Sequence, residues 1–285
     1  MKVIKEISDI RDISDYYRCT GKKVALVPTM GFLHEGHTSL IQKSKEQNDI
    51  TVVSIFVNPT QFGVNEDFSK YPRDFKRDYG ICEKEGADYI FNPETEEMYN
   101  DPLTKVSVSE ITERLEGKFR PGHFTGVATV VLKLINAVKP HNIYLGQKDA
   151  QQNAVLKKMV KDLNIAVNII ICETKREENG LAMSSRNSYL TPEQKSEASI
   201  LYFLLNEGKR LVLENNHDDV NDIISEIAFT LKQKQPGIEL QYYEITDNEK
   251  LETISDLKNY KGEILISLAA KAGNTRLIDN IIFNK

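Results

Sequence analysis

The stretch from Val24 to His37, VALVPTMGFLHEGH, limits what this chain can fold into more than any other. Val24, Ala25, Leu26 and Val27 form an apolar run that reads as a short buried strand. Pro28 has no N–H for a ladder and is expected to end it. A loop with Met30, Gly31, Phe32 and Leu33 follows, and His34 and His37 bracket Glu35 and Gly36. Beyond His37, Leu40, Ile41 and Ser44 recur at helical spacing while Lys43, Lys45 and Glu46 face water. A second apolar run over residues 50–57 completes a strand–loop–helix–strand unit. Its loop lies where open parallel sheets bind ligands.

That placement gives the histidines a chemical reading. Backbone N–H groups at a helix N-terminus lack partners within the helix and favour an anion, typically phosphate. Histidines three positions apart project on the same side of one turn. Imidazole donates to phosphate oxygens as charge builds in a transition state. Gly36, with no side chain, lets a base or phosphate approach the backbone. Two solvated loop histidines, or a metal pair, are the competing readings.

Composition bounds the class. The 285 residues suffice for one large or two medium domains, and 40% hydrophobic with 28% charged residues is ordinary for a soluble globular protein. A net charge of −5 offers no broad basic footprint for nucleic acid. Cys19, Cys82 and Cys172 are scattered, which suits a reducing cytosol better than a disulfide framework or a zinc site. The opening MKVIKEISDIRDISDYY lacks the apolar core of a secretion signal, and no stretch approaches the ~18 apolar residues of a membrane span. The expectation is a cytoplasmic protein with no membrane or nucleic-acid partner.

Further along, residues 4–17 predict a short amphipathic helix through Ile7, Ile10, Ile13 and Tyr17. Asn58-Pro59-Thr60-Gln61 leaves the same sheet edge as the histidine loop. Asn58 and Gln61 each carry donor and acceptor, suiting a small ligand with hydroxyl and carboxyl groups, against a plain Asn-Pro turn. A helix is expected from Tyr71-Pro72-Arg73-Asp74 to about Glu85 with Gly86 as its cap, then strands at 88–91 and 105–108 and a helical turn at 111–115. Arg120 and His123 precede a helix striped by Val127, Val130, Val131, Leu134 and Val138. Spacing alone puts Arg120 and His123 on the surface.

In NIYLGQKDAQQ, Ile143-Tyr144-Leu145 is a buried strand, Gly146 turns the chain, and a helix opens after Gln147, Lys148 and Asp149. Lysine at such a turn neutralises phosphate as a point cation. Asp149 with Gln152 three residues on also has the form of a capping box. After a strand at 166–172, a charged turn leads to Leu181-Ala182-Met183-Ser184-Ser185-Arg186. Its hydroxyls and arginine suit a polyphosphate, though a surface turn has the same composition. A domain boundary is placed near Thr174, giving units 1–174 and 175–285. The second reads as a small α+β domain with helices at 192–214 and 218–234 and strands at 238–245, 263–269 and 276–282.

Taken together, PTMGFLHEGH, FVNPTQF, YPRD, RPGHFTGV, GQKDAQQ, GLAMSSRN and TRLID closely resemble the ATP-dependent pantoate–β-alanine ligases, over essentially the whole chain. The resemblance implies a Rossmann-like α/β parallel sheet of the nucleotidylyltransferase type with a smaller C-terminal α+β lid. HEGH stands where the HIGH signature lies, and MSSR where the KMSKS loop lies. It also implies ATP as co-substrate with Mg²⁺, pantoate and β-alanine as the other substrates, a pantoyl-adenylate intermediate, and a homodimer. His37, His34 and Lys148 would be catalytic. ATP would meet Met30, Gly31, Phe32, Leu33, His34, Glu35, Gly36, His37, Gly146, Gln147, Lys148, Asp149, Lys175, Met183, Ser184, Ser185 and Arg186. Gln61, Gln152 and the Met30 backbone would bind pantoate, with Asn58 near β-alanine and Asp78 a candidate Mg²⁺ ligand. Two departures from the family pattern are Lys175, at a usually aliphatic place beside adenine, and Leu145, where Phe is common.

Other classes make different demands. A nucleotidylyltransferase would keep the nucleotidyl group in its product and need no amine. A non-catalytic nucleotide module would need only the HEGH end. An aminoacyl-tRNA synthetase is disfavoured by the lack of a basic face.

Overall fold

A computed structural model describes every residue except Asn65, Asn215, Asn216 and Asp218. The apolar runs form six parallel strands: β1 (Lys2–Ile4), β2 (Val24–Thr29), β3 (Ile50–Ile55), β4 (Tyr89–Phe91), β5 (Asn142–Gly146) and β6 (Asn168–Cys172). Their order across the sheet is β1-β4-β3-β2-β5-β6. Helices α1 (Ile7–Cys19), α2 (Glu35–Gln47), α3 (Phe75–Lys84), α4 (Thr95–Met98), α5 (Glu116–Phe119), α6 (His123–Val138) and α7 (Ala150–Asp162) occupy the connections. From β2 the chain moves outward through β3 to β4, then restarts on the other side of β2 with β5 and β6. The loops leaving β2 and β5 therefore flank one crevice at the reversal of strand order.

Both faces of the sheet are covered, which is why its strands read as continuous apolar runs. Alternation sends Leu26, Val52, Ile143 and Leu145 to one side, against Val127, Val131, Leu134 and Val138 of α6. Ala25, Val27, Val53 and Tyr144 face the other side, against Leu40 and Ile41 of α2.

Four local expectations need correction. Strand β2 runs through Pro28 to Thr29. The Thr29 carbonyl faces β3 and that of Val24 faces β5, so Pro28 turns its missing N–H to the β5 side, where pairing has already stopped at Leu26. The edge strand β1 precedes α1, and its three residues are too few to show a period. Residues 105–108 form no strand; the Val106 N–H is satisfied by Thr129 Oγ1 (2.9 Å) instead of a ladder. The expected helix over 192–214 breaks at Ser199, whose hydroxyl bonds the Ser196 carbonyl (2.6 Å) and competes with the helical backbone.

The C-terminal part consists of α8 (Pro192–Ala198), α9 (Ile200–Glu214), α10 (Val220–Lys234) and an antiparallel sheet of β7 (Ile238–Asp247), β8 (Glu263–Ala272) and β9 (Thr275–Asn284). Thr191 and Gln194 close a capping box on α8, as Thr191-Pro192 leads one to expect. The expected first residue of the next helix, Asp218, lies outside the described residues. One face of the small sheet buries Tyr243, Ile245, Ile266 and Leu268 under Leu204, Leu205, Ile223 and Ile227. From the other face, Leu265 packs with Leu251 against Leu115, Phe124 and Val155 of the N-terminal part. The fold is an α/β parallel sheet with a smaller C-terminal antiparallel sheet.

Candidate active site

The loop between β2 and α2 is held in an unusual backbone shape. Gly31 has φ of +81° and Phe32 φ of +50°, a region that side-chain-bearing residues rarely enter. The buried carboxylate of Asp78, on α3, holds it there by accepting from the Phe32 N–H (2.7 Å) and the Leu33 N–H (2.8 Å). A Cβ on Gly31 would come within 2.9 Å of Asp78 Oδ2, so glycine is required twice over. Burial raises the Asp78 pKa, opposed by the two backbone bonds. This carboxylate is a loop anchor with both oxygens engaged, and it does not fit the expected role of metal ligand.

Helix α2 begins at Glu35, and the two histidines cap its N-terminus reciprocally. His34 Nδ1 accepts from the Gly36 N–H (3.1 Å), and His37 Nδ1 accepts from the His34 N–H (3.2 Å). Their rings lie 4.1 Å apart. Because each Nδ1 accepts, the neutral tautomer of each ring carries its proton on Nε2. Burial, then the charge of Lys148, pushes His34 down to about 4. Burial, then His34, pushes His37 well below its ordinary value. Both rings are thus neutral Nε2–H donors at pH 7.

These histidines line a cleft of about 230 Å³ together with Met30, Gly36, Asn58, Gln61, Gly146, Lys148, Asp149, Gln152, Lys175, Met183, Ser184, Ser185 and Arg186. The residues expected to surround one triphosphate tail do share one cavity. Ser185 Oγ donates to the Phe32 carbonyl (3.2 Å), drawing the 184–186 segment against the histidine loop. Among the described residues, the Lys148 ammonium pairs loosely with Asp149 at 3.8 Å and lies within the field of the buried Asp279 carboxylate. Asp149 makes no side-chain cap on α7, so the capping-box reading fails and Gln152 faces the cleft.

The apolar floor is Phe56 with Val127, Val130, Val131 and Leu134 of α6. Gln61 is oriented above it, with Nε2 toward Met30 Sδ (3.0 Å) and Oε1 accepting from Asn58 Nδ2 (3.2 Å). Asn58 is fully buried, and its Oδ1 also accepts from Tyr99 (2.8 Å) and Thr60 Oγ1 (3.0 Å). Its Nδ2 further donates to the Gly126 carbonyl (3.2 Å). Asn58 therefore braces the turn with its whole amide. A Cβ at Gly126 would fall on the Thr60 carbonyl, so only glycine lets α6 approach this closely.

Some expected residues do not reach the cleft. Leu33 is buried in the core beneath α2, and Phe32 and Glu35 line a separate groove behind the loop. Gln147 points away, its Nε2 donating to Asn280 Oδ1 (3.0 Å).

Other residues were placed on the surface by spacing and belong to the site. Arg120 and His123 both line the cleft. Arg120 donates to His123 Nε2 (3.0 Å), which fixes the His123 proton on Nδ1, where it bonds the Gln61 carbonyl (2.7 Å). Burial, then Arg120, pushes His123 down to about 4. Arg120 also forms a bidentate pair with Glu66 (2.7 and 2.6 Å), and Arg186 forms another with Asp67 (3.0 and 2.8 Å). Burial opposes the Asp67 charge, but Arg186 outweighs it and lowers the Asp67 pKa. For Arg120 and His123 the sequence signal was the RPGH motif.

The family model described as pantoate-beta-alanine ligase matches residues 2–282. The chain belongs to the pantoate–β-alanine ligase family. It is 52% identical to the pantothenate synthetase of Caldicellulosiruptor bescii over 99% of both chains, and 50% identical to that of Acetivibrio thermocellus over 99% of both. A crystal structure of pantothenate synthetase from Thermus thermophilus matches with a TM-score of 0.90 at 36% identity over 99% of both chains. The pantoate-beta-alanine ligase of Francisella tularensis, complexed with beta-gamma ATP and beta-alanine, matches with a TM-score of 0.79 at 37% identity, covering 99% of this chain and 97% of that one. This ligase forms an amide bond by ATP-dependent condensation of pantoate with β-alanine, through pantoyl adenylate.

Proposed function

We propose that the shared cleft carries out both half-reactions, with the α2 N-terminus as the phosphate site. A carboxylate is a poor acyl donor. A pantoate oxygen therefore attacks the α-phosphorus of ATP, forming the acyl phosphate bond as the bond to pyrophosphate breaks. The β-alanine amine then attacks the acyl carbon, loses a proton, and AMP leaves. No protein nucleophile takes part; positioning and charge stabilisation carry the rate.

The observation that carries this reading is the pair of neutral imidazoles, tautomers fixed by backbone donation, beside an ammonium whose ion pair with Asp149 is loose, at 3.8 Å. His37 and His34 present Nε2–H to phosphate oxygens as charge builds, acting as hydrogen-bond donors and not as imidazolium acids. Lys148, Ser184, Ser185 and Arg186 hold the polyphosphate. Gly36, Gly146, Asp149, Met183 and Lys175 border the nucleoside, the loop Gly31–Leu33 and Glu35 giving the site its shape. Gln61, Gln152 and Met30 receive pantoate over the valine floor, and Asn58 and His123 hold Gln61 in place near the amine.

Magnesium enters as part of the nucleotide substrate. Asp78 is occupied by backbone N–H groups, and no group of three acidic, histidine or cysteine side chains fit for a metal occurs among the described residues. Residues 1–174 act as the nucleotide and pantoate unit and 175–285 as the unit that closes on it; the separate core from Leu181 to Phe283 supports that division. The enzyme works in the cytoplasm as a homodimer. No helix among the described residues is long and apolar enough to cross a membrane.

Incubation with ATP, Mg²⁺, pantoate and β-alanine tests the reaction: AMP and pantothenate form only with all four present. A product that retains the nucleotidyl group after both substrates are supplied would refute it.

A further inference from the structure

Strand β9 bears the TRLID motif, whose last residue is followed by Asn280, and the cleft's chemistry gives neither a task. Asn280 is 4% exposed, and its side chain leaves the small sheet for the loop that carries Lys148. Its Nδ2 donates to the Lys148 carbonyl (2.7 Å) and the Gln147 carbonyl (3.1 Å), while Oδ1 accepts from Gln147 Nε2 (3.0 Å). One amide thus grips consecutive residues of a single turn with three bonds. The opposite end of that turn is held by the N-terminal part, through the Gln147 N–H to the Cys172 carbonyl of β6 (2.8 Å) and Asn153 Nδ2 of α7 to the Gly146 carbonyl (3.0 Å).

Asp279 fixes Asn280 in turn. Its buried carboxylate accepts from the Asn280 N–H (2.8 Å) and takes Arg176 on both oxygens (2.5 and 3.0 Å). Arg176 adjoins Lys175, on the cleft's opposite lip. β9 therefore ties together the two loops that border the nucleotide site, and both ties depend on side chains whose donor and acceptor sites are matched.

We propose that Asn280 is the positioning residue for Lys148, setting the backbone from which the ammonium reaches the polyphosphate. The inference rests on the role given to Lys148 above. It makes the placement of the catalytic cation a property of the C-terminal sheet. A displacement of about 1 Å in such a group costs up to ~10²-fold in rate.

The test is a double-mutant cycle on pantoate-dependent ATP–pyrophosphate exchange, using the full-length enzyme. Asn280→Ala should lower kcat about 10- to 100-fold while KM for pantoate stays within about threefold. In a Lys148→Ala background the same change should cost less than about threefold, because Asn280 acts through a side chain no longer there. Multiplicative losses in the double variant, or an Asn280→Ala enzyme at the wild-type rate, overturn the proposal. Asn280→Asp keeps the shape and the acceptor for Gln147 but loses the donors, and serves if the alanine variant fails to fold. It should be as slow as the alanine variant with KM for pantoate within about threefold, and full activity would refute the inference. A Lys148→Ala enzyme with full activity would refute the Lys148 reading itself, whereas a slow Lys148→Ala beside a fast Asn280→Ala refutes only the positioning role.

Discussion

The two shoulders of the cleft are built on different principles. The histidine shoulder is fixed by a buried carboxylate on backbone N–H groups and by a reciprocal cap, with no exchangeable ion pair among those bonds. The arginine shoulder rests on two partly exposed bidentate pairs, Arg120 with Glu66 and Arg186 with Asp67. Neutral donors aimed at a fixed point cost nothing to reorganise when phosphate arrives. Guanidinium groups already holding carboxylates must exchange one anion for another. In the proposed reaction, the contrast gives preorganisation to the first shoulder and capture of charge to the second.

The sharpest way to break this contrast is His37→Ala. Pantoate-dependent ATP–pyrophosphate exchange should fall about 10²- to 10³-fold, the scale of a lost oxyanion donor. Folding stability should drop by only about 1 kcal/mol for the missing cap bond; exchange near the wild-type rate would remove the histidine from the chemistry. Next in size is Asp78→Asn, which keeps the shape but sets an NH2 against one backbone N–H, losing one anchor of the loop and leaving the other uncharged. Urea unfolding should show a loss of about 1–3 kcal/mol, and an unchanged midpoint would mean the loop holds itself.

On the arginine side, Asp67→Asn should tighten ATP binding about two- to fivefold at low salt, since a partly exposed pair is worth at most about 1 kcal/mol. The gain should shrink as salt rises; calorimetric titration showing weaker ATP binding would make Asp67 a supporter of the site. The last test concerns pH. Folding lowers the His123 pKa from its ordinary 6.5 to about 4, so between those values the unfolded chain binds a proton that the folded one does not. Stability is therefore lost as pH falls through that window. His123→Asn retains a donor for the Gln61 carbonyl without the titration, and its denaturant midpoint should fall less between pH 7 and pH 5. An identical fall in both proteins would remove His123 as a contributor.

What could be read in the sequence was local or repeated. The β2–α2–β3 unit was legible because both-face burial leaves unbroken apolar strands and α2 has a clear period. The residues that share the cleft, among them His34, His37, Lys148 and Arg186, were legible through motifs that sit on loops at one sheet edge. Long-range pairing was not. Arg120 is brought into the site by Glu66, which lies 54 positions away. Asn280 meets the Lys148 loop across more than a hundred positions, with no pattern to announce it. Asp149 misled in the opposite sense, since Asp-x-x-Gln spells a cap that the observed backbone angles of Asp149 (φ −95°, ψ 57°) do not support.

Gly126 has a consequence for redesign. The hydrogen it carries in place of a side chain is the hinge pin where α6 crosses the 58–61 turn. Any larger residue there would part the valine floor from Gln61 and dismantle the proposed acid pocket it was meant to enlarge. Shaving Val130 or Val131 makes room without disturbing that crossing, so bulkier acids should be sought through those two positions, with residue 126 left alone.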